Sequence, residues 1–186
     1  MAEIRKASEA DISSLVNLHS EIFNKTHFTS YFSKSLLRKY FQKLISKNNY
    51  CFVAYNASNN LEGYIISGNK TTEAVNEFIN ENRLAILKVL LLHPKFLFEK
   101  IFYFIFGRAK HTVSLRLLFI GVRPGMGLGI ELLEYYEKAI SLDGLTEYGL
   151  SVRSDNKKAI EFYKKNGFIF EKRIFNSISY TKKLRT

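Results

Sequence analysis

A run of glycines at the entrance to a helix is the first feature in this sequence that could do chemistry. Gly125-Met126-Gly127-Leu128-Gly129 follows the apolar run from Leu115 to Val122, which reads as a buried strand, and leads into a predicted helix from Ile130 to Ile140. Glycines let the backbone approach an anion, and unpaired N–H groups at a helix start point toward it, so the pattern suits a phosphate. The run lacks the Gly-Lys-Ser/Thr of a P-loop, and its three glycines are spaced wrongly for a dinucleotide fingerprint. On these residues alone, a tight strand-to-helix turn without a ligand explains it as well.

Other reactive residue types give less. His19, His27, His93 and His111 are scattered without metal-ligand spacing, so no metal is expected. The single Cys51 has no partner for an intramolecular disulfide, and the N-terminal residues lack the apolar core of a signal peptide, which makes the cytoplasm the expected compartment. The chain has 186 residues and a formal charge of +11, and from Arg153 to Thr186 it carries ten Lys and Arg against three acids. A disordered chain, a collagen-like repeat and a disulfide-stapled miniprotein are excluded by this composition. The charge asks for an anionic partner; no helix-turn-helix, RRM or finger signature accompanies it, so nucleic acid is not the expected one.

The elements that must position the glycine run follow from periodicity. Glu3 to Ala7 reads as a strand; Ser8-x-x-Asp11 is a capping-box pattern that opens a helix with apolar positions at Ile12, Leu15, Val16, His19, Ile22 and Phe23. A second helix carries Leu36, Leu37, Tyr40, Phe41, Leu44 and Ile45 on one face, and Tyr50 to Tyr55 with Glu62 to Ser67 forms a hairpin around turn residues Asn56 to Asn60. Residues 71–112 hold the apolar stretch Leu84 to Phe106, which Pro94 divides into two short helices rather than a membrane span. Downstream come a strand Tyr148 to Arg153, a helix Asn156 to Lys165 stopped by Asn166-Gly167, and a closing hairpin of Phe168 to Ile174 with Ile178 to Leu184. In the glycine-run helix, Ile130, Leu133, Tyr136 and Ile140 are expected to face the sheet, with Glu131, Glu134 and Glu137 outward. The fold class is a mixed α/β layer structure, with residues 1–186 as one domain and 71–112 as an apolar helical insertion between the third and fourth strands.

Val122-x-Pro124, Gly127-x-Gly129 and a helix, followed after a strand by Asn156-x-x-Ala159-x-x-Phe162-Tyr163-x-x-x-Gly167-Phe168, resembles the acyl-CoA-dependent N-acetyltransferases of the GNAT superfamily. The match is close over Leu115 to Ile174, and the upstream element order agrees. The resemblance implies a sheet splayed between the strand ending at Val122 and the strand ending near Arg153, with acetyl-CoA as cosubstrate in the splay. It further implies that the pantetheine arm pairs with backbone near Ile120 and Val122, and that the pyrophosphate is cradled over Gly125, Met126, Gly127, Leu128, Gly129 and Ile130. Asn156 would contact the arm, and Tyr163 would be the general acid that protonates the departing thiolate. For Tyr163 the structural alternative is packing on the sheet; for Asn156 it is an N-cap. Lys157, Lys158, Lys164 and Lys165 read as a solvated helix face.

Two departures from the family pattern stand out. Met126 runs straight into Gly127, so the Arg or Gln place is missing or taken by Pro124, and the strand that often carries a carboxylate has Arg116 instead. If Arg116 faces the acceptor, it favours an anionic amine such as an amino sugar or sugar nucleotide; pairing with an acid on a neighbouring strand is the alternative. The expected function is transfer of acetyl from acetyl-CoA to a primary amine of a small molecule by direct attack in a ternary complex. A catalytically silent acyl-CoA binder is the rival reading. Peripheral membrane contact through 84–106 and a homodimer face are two further uses for the insertion, beside a lid over the acceptor pocket.

Overall fold

A computed structural model describes residues 2–23, 27–99, 112–125 and 127–184. Strand β1 (Glu3–Lys6) leads through a short 3-10 turn into helix α1 (Ile12–Ile22), and the turn is closed by Asp11, whose carboxylate accepts from the Ser8 amide at 2.8 Å. Helix α2 (Lys34–Lys47) starts at Ser33, whose hydroxyl accepts from Leu36 N at 3.1 Å. Strands β2 (Tyr50–Tyr55) and β3 (Leu61–Gly68) form the expected hairpin, closed by Asn56 Oδ1, which accepts from the amides of Ser58 and Asn60. Helices α3 (Thr71–Glu81) and α4 (Arg83–Leu92) follow, and after a break at His93 residues 94–99 are again helical, with Pro94 at the first position. Residues 100–111, the rest of the apolar stretch, lie outside the described residues, as does Met126. No helix among the described residues is long and apolar enough to cross a membrane.

The remaining elements are strand β4 (Arg116–Val122), helix α5 (Leu128–Leu142), strand β5 (Glu147–Arg153), helix α6 (Lys157–Lys165) and the hairpin β6 (Ile169–Ile174) with β7 (Ser177–Lys183). All seven strands make one sheet in the order β1-β2-β3-β4-β5-β7-β6, antiparallel throughout except for the β4–β5 pair. This is the mixed α/β architecture and the element order that the periodicity predicts.

Both faces of the sheet are covered, and β3 is accordingly buried along its whole length rather than at alternate residues. One face packs on α1, α2 and α3 through Leu15, Phe41, Leu44, Tyr64 and Phe78. The other packs on α5 and α6 through Leu132, Tyr136, Tyr148, Leu150 and Tyr163. Helix α3 is tied to α2 by ion pairs, Lys43 with Glu81 at 2.6 Å and Lys47 with Glu77 at 2.8 Å. Cys51 is buried and free, and burial pushes its thiol up to about 12, so it is inert at neutral pH.

The phase of α5 corrects one expectation. Leu128, Leu132, Leu133, Tyr136 and Ile140 are its buried residues, whereas Ile130 is 49% exposed. Its side chain falls off the stripe because the buried positions repeat from 128 and 129, three and four residues apart. Glu137 also differs from expectation: it accepts from the Tyr148 hydroxyl and from Lys182 Nζ, each at 2.6 Å. Tyr148 is fully buried by its ring and needs an acceptor for its hydroxyl at the edge of the core, which Glu137 supplies.

Candidate active site

A fault in β4 builds the site. Leu117 lies opposite Ser67 and Phe119 opposite Ile66, so Leu118 is an extra residue with no partner on β3. The faces confirm the count: Leu117 packs with the α5 and α6 cluster while Phe119 packs with the α1 and α2 cluster, although residues two apart on a regular strand share a face. Such a β-bulge bends a strand, increases its twist and ends its pairing. Accordingly β4 pairs with β5 only at Arg116↔Gly149 and Leu117↔Leu150, the two rungs before the bulge. Beyond them Ile120 and Val122 run along one side of a gap that β5, ending at Arg153, does not close. Backbone groups on that edge are left to pair with something other than β5.

At the far end of the gap the chain turns from Arg123 to Gly127 and enters α5. Arg123 is clamped there: its amide donates to Glu62 O at 2.8 Å, and its guanidinium meets Glu62 at 2.8 Å and also Glu21. Gly125 and Gly127 have φ of 86° and 65°, and a Cβ on either would meet nothing within 4 Å. Glycine is therefore required for the left-handed backbone, not for lack of room. Gly127 is the N-cap of α5 and no side chain caps it, so the amides of Leu128, Gly129 and Ile130 are left for an anion. Ile130 can contribute only its amide, given its outward side chain.

Helix α6 carries the remaining candidates. Asn156 is its N-cap, with Oδ1 accepting from Ala159 N at 3.2 Å, which leaves Nδ2 as the donor for any further contact. Tyr163 is 7% exposed, with ring centroids 5.6 Å from Phe162 and 5.2 Å from Phe168. Burial raises its phenol pKa, so the group stays protonated throughout the neutral range. Ile120, Val122, Leu128, Val152 and Phe162 belong to the same packed cluster as Tyr163, and a Cβ on Gly129 would stand 3.5 Å from Phe162. The start of α5 and the body of α6 thus meet beneath the gap. The four lysines of α6 are all exposed.

Arg116 pairs with an acid, as the structural alternative has it, but the acid lies on β6 and not on a neighbouring strand. It bonds Glu171 of β6 at 3.3 Å and Ser151 Oγ of β5 at 3.1 Å, and the Arg116 and Glu171 side chains are only 12% and 6% exposed. The carboxylate that answers it also accepts from Thr112 N and Oγ1 at 2.8 and 3.0 Å. Arg116→Ala is expected to lower stability by about 1–3 kcal/mol, because it strips a partner from a buried carboxylate; urea melts of the variant check this.

Histidines that look scattered in the sequence converge in the fold. His19 Nδ1 lies 2.6 Å from Tyr64 Oη, His19 Nε2 lies 2.6 Å from Thr29 Oγ1, and Thr29 Oγ1 lies 2.6 Å from His27 Nδ1. Thr29 N also points at His27 Nδ1, at 3.4 Å, which marks that nitrogen as an acceptor. The chain then has one sense: Tyr64 donates to His19, His19 to Thr29, and Thr29 to His27. Burial depresses His19 to about 3, helped by His27, and depresses His27 to about 4, helped by Arg153. Phe119, the residue after the bulge, packs edge-on against both imidazoles, at 5.3 and 5.6 Å. Arg153, at the end of β5, is held by Glu99 at 3.1 Å, and Asn176 donates to the same carboxylate at 2.7 Å. The sequence assigned no common role to His27, Arg153 and Glu99, because no motif joins them.

Solved structures share this architecture along their whole length. The PaiA N-acetyltransferase of Thermoplasma acidophilum, in complex with coenzyme A, aligns with 98% of this chain and 99% of its own at 20% identity and a TM-score of 0.60. A GNAT-family acetyltransferase of Bacillus cereus aligns over 100% and 99% at 16% identity and a TM-score of 0.60. The polyamine N-acetyltransferase of Drosophila melanogaster aligns over 99% and 100% at 14% identity and a TM-score of 0.64. At these identities the likeness establishes the fold. The model of the acetyltransferase (GNAT) family matches residues 103–168, which contain the bulged strand, the glycine turn and Tyr163. Over residues 103–168 the chain is similar to the GNAT acetyltransferase family, and its fold is the one these structures share. No curated protein matches it by sequence. The GNAT match runs from residue 103 to Phe168, so it spans both sides of the gap between β4 and β5 and leaves the histidine chain of His19, His27, Thr29 and Tyr64 outside it.

Proposed function

We propose that this protein is a GNAT-family enzyme that transfers an acetyl group from acetyl-CoA to a primary amine of a small molecule, by direct attack in a ternary complex. The observation that carries the reading is the separation of β4 from β5 at the Leu118 bulge, with an uncapped helix start at its far end. The residues present fit the cosubstrate: a free strand edge suits the amides of an extended arm, and open left-handed glycines before free helix amides suit a pyrophosphate. Acetyl-CoA, when bound, supplies an activated acyl thioester.

The chain's own residues divide the remaining work. The amides of Leu128, Gly129 and Ile130 hold anionic charge, the edge at Ile120 and Val122 orients the arm, and Asn156 Nδ2 donates to it. A backbone N–H on the same edge stabilises negative charge that develops on the acyl oxygen. Tyr163, held neutral by burial, gives its proton to the sulfur that leaves.

The acceptor is an amine without a required negative charge. The amino-sugar reading depended on Arg116, and that guanidinium is engaged by Glu171 and Ser151. Structural relatives of the fold include the fly polyamine N-acetyltransferase, described as forming N-acetylagmatine. Polyamines and agmatine therefore join amino sugars and sugar nucleotides in the decisive assay, which follows thiol release from acetyl-CoA by the purified chain. The expected result is turnover with at least one primary amine. Measurable CoA binding with no thiol release from any of them would replace this reading with a silent acyl-CoA binder.

A further inference from the structure

Helix α4 and the helical residues after it present an apolar face to solvent on a firmly anchored support. Ile86 is buried, Val89 and Leu90 pack on the core, and Phe96 is buried edge-on against Phe28 and Tyr31. On the outer side Leu84 is 83% exposed, Leu91 64%, Leu92 65% and Phe98 70%, and Leu87 is also exposed. Contiguous exposure of this kind is unusual for a water-facing surface and marks a contact. Arg83, Lys88 and Lys95 are exposed among these side chains, and no acid occurs from residue 82 to residue 98. The neighbouring α3 is the opposite case, since its Glu73, Glu77 and Glu81 are taken up by lysines of α2.

We propose that this face docks on an anionic lipid surface, with the leucines and Phe98 entering the interface and the basic groups meeting phosphate headgroups. Charge complementarity selects this occupant. In a symmetric dimer through the same patch, Arg83, Lys88 and Lys95 of each copy would face one another with no acid from the patch between them. A bilayer with anionic lipids supplies both missing components, a place for the apolar side chains and negative charge around them. Lys88, on a flexible stem among leucines, can reach the headgroup plane while its methylenes stay apolar. The contact is peripheral, because the helix is too short to cross.

Flotation of the full chain with vesicles tests the proposal independently of any acetyltransfer. The protein should float with phosphatidylcholine vesicles that contain phosphatidylglycerol, float much less with phosphatidylcholine alone, and be released by high salt. Arg83→Gln with Lys88→Gln should lower partition roughly thirtyfold, at about 1 kcal/mol for each basic group. Leu87→Gln with Leu91→Gln should abolish flotation. All four side chains are exposed, so thermal melts of the variants should match the parent's. Failure of the parent chain to float on anionic vesicles overturns the proposal, as does undiminished flotation of the leucine variant. A dimer in sedimentation that the leucine variant dissociates, with no flotation, would assign the face to a second copy instead.

Discussion

If Tyr163 is the proposed general acid, Tyr163→Phe should lower kcat by about 10²–10⁴-fold and leave KM for acetyl-CoA within a few-fold. The size follows from what the substitution removes. The coenzyme A thiol is an alkyl thiol that ionises only on the alkaline side of neutrality, so its thiolate gains from a proton delivered as the bond breaks. Burial keeps the Tyr163 phenol protonated, so the proton is available over the whole neutral range and activity should not fall on the alkaline side before the usual phenol range. The ring remains in the Phe variant and keeps its contacts with Phe162 and Phe168, so the fold is retained and the loss is read in turnover alone. Steady-state kinetics with the best amine from the thiol-release assay give the answer. An unchanged kcat would assign Tyr163 to packing and leave the departing sulfur to water.

Local signals in the sequence carried most of the architecture, and long-range pairings carried most of what it hid. The stripe Leu36, Leu37, Tyr40, Phe41, Leu44 and Ile45 is a helical repeat, and on α2 the first five are buried and Ile45 partly so. The glycine turn is equally local, because a left-handed residue before a helix has few solutions other than glycine. The bulge at Leu118 has no such mark. It lies within Leu117-Leu118-Phe119, where both faces of the sheet are buried, so no alternation of apolar and polar residues reveals the change of face. Arg116 was legible as a departure from the family pattern, but its partner Glu171 lies 55 residues on and two strands beyond the neighbouring one. The histidine chain joins residues 10 and 45 positions apart through a threonine and a tyrosine, types that carry no ligand signature. At the end of β5, on the opposite edge of the gap from Arg116, the structure pairs Arg153 with Glu99, an ion pair between residues 54 positions apart.

That histidine chain makes the fold sensitive to mild acid, and between pH 7 and pH 5 the protein should lose up to about 4 kcal/mol of stability, about 2 for each imidazole. The sign follows from proton binding. In the unfolded chain each histidine takes up a proton near 6.5, whereas His19 and His27 in the fold resist protonation down to about 3 and about 4. The unfolded state therefore binds more protons below 6.5, and stability falls as the pH drops through that value and continues to fall toward the folded values. Asp11 belongs to a lower window: burial raises its pKa, but Arg5, Ser8 and Tyr55 outweigh this and hold it well below the usual carboxylate range, so its contribution is lost only as the pH falls through about 4 and below. Urea melts at pH 7, 6 and 5 separate the two, since only the histidines act above 5. His19→Gln, neutral at every pH, should roughly halve the slope between pH 7 and 5 whatever its own stability at pH 7. A parent protein whose urea midpoint is flat across that interval would mean that water reaches the Tyr64–His19–Thr29–His27 chain and that its imidazoles titrate as in the unfolded state.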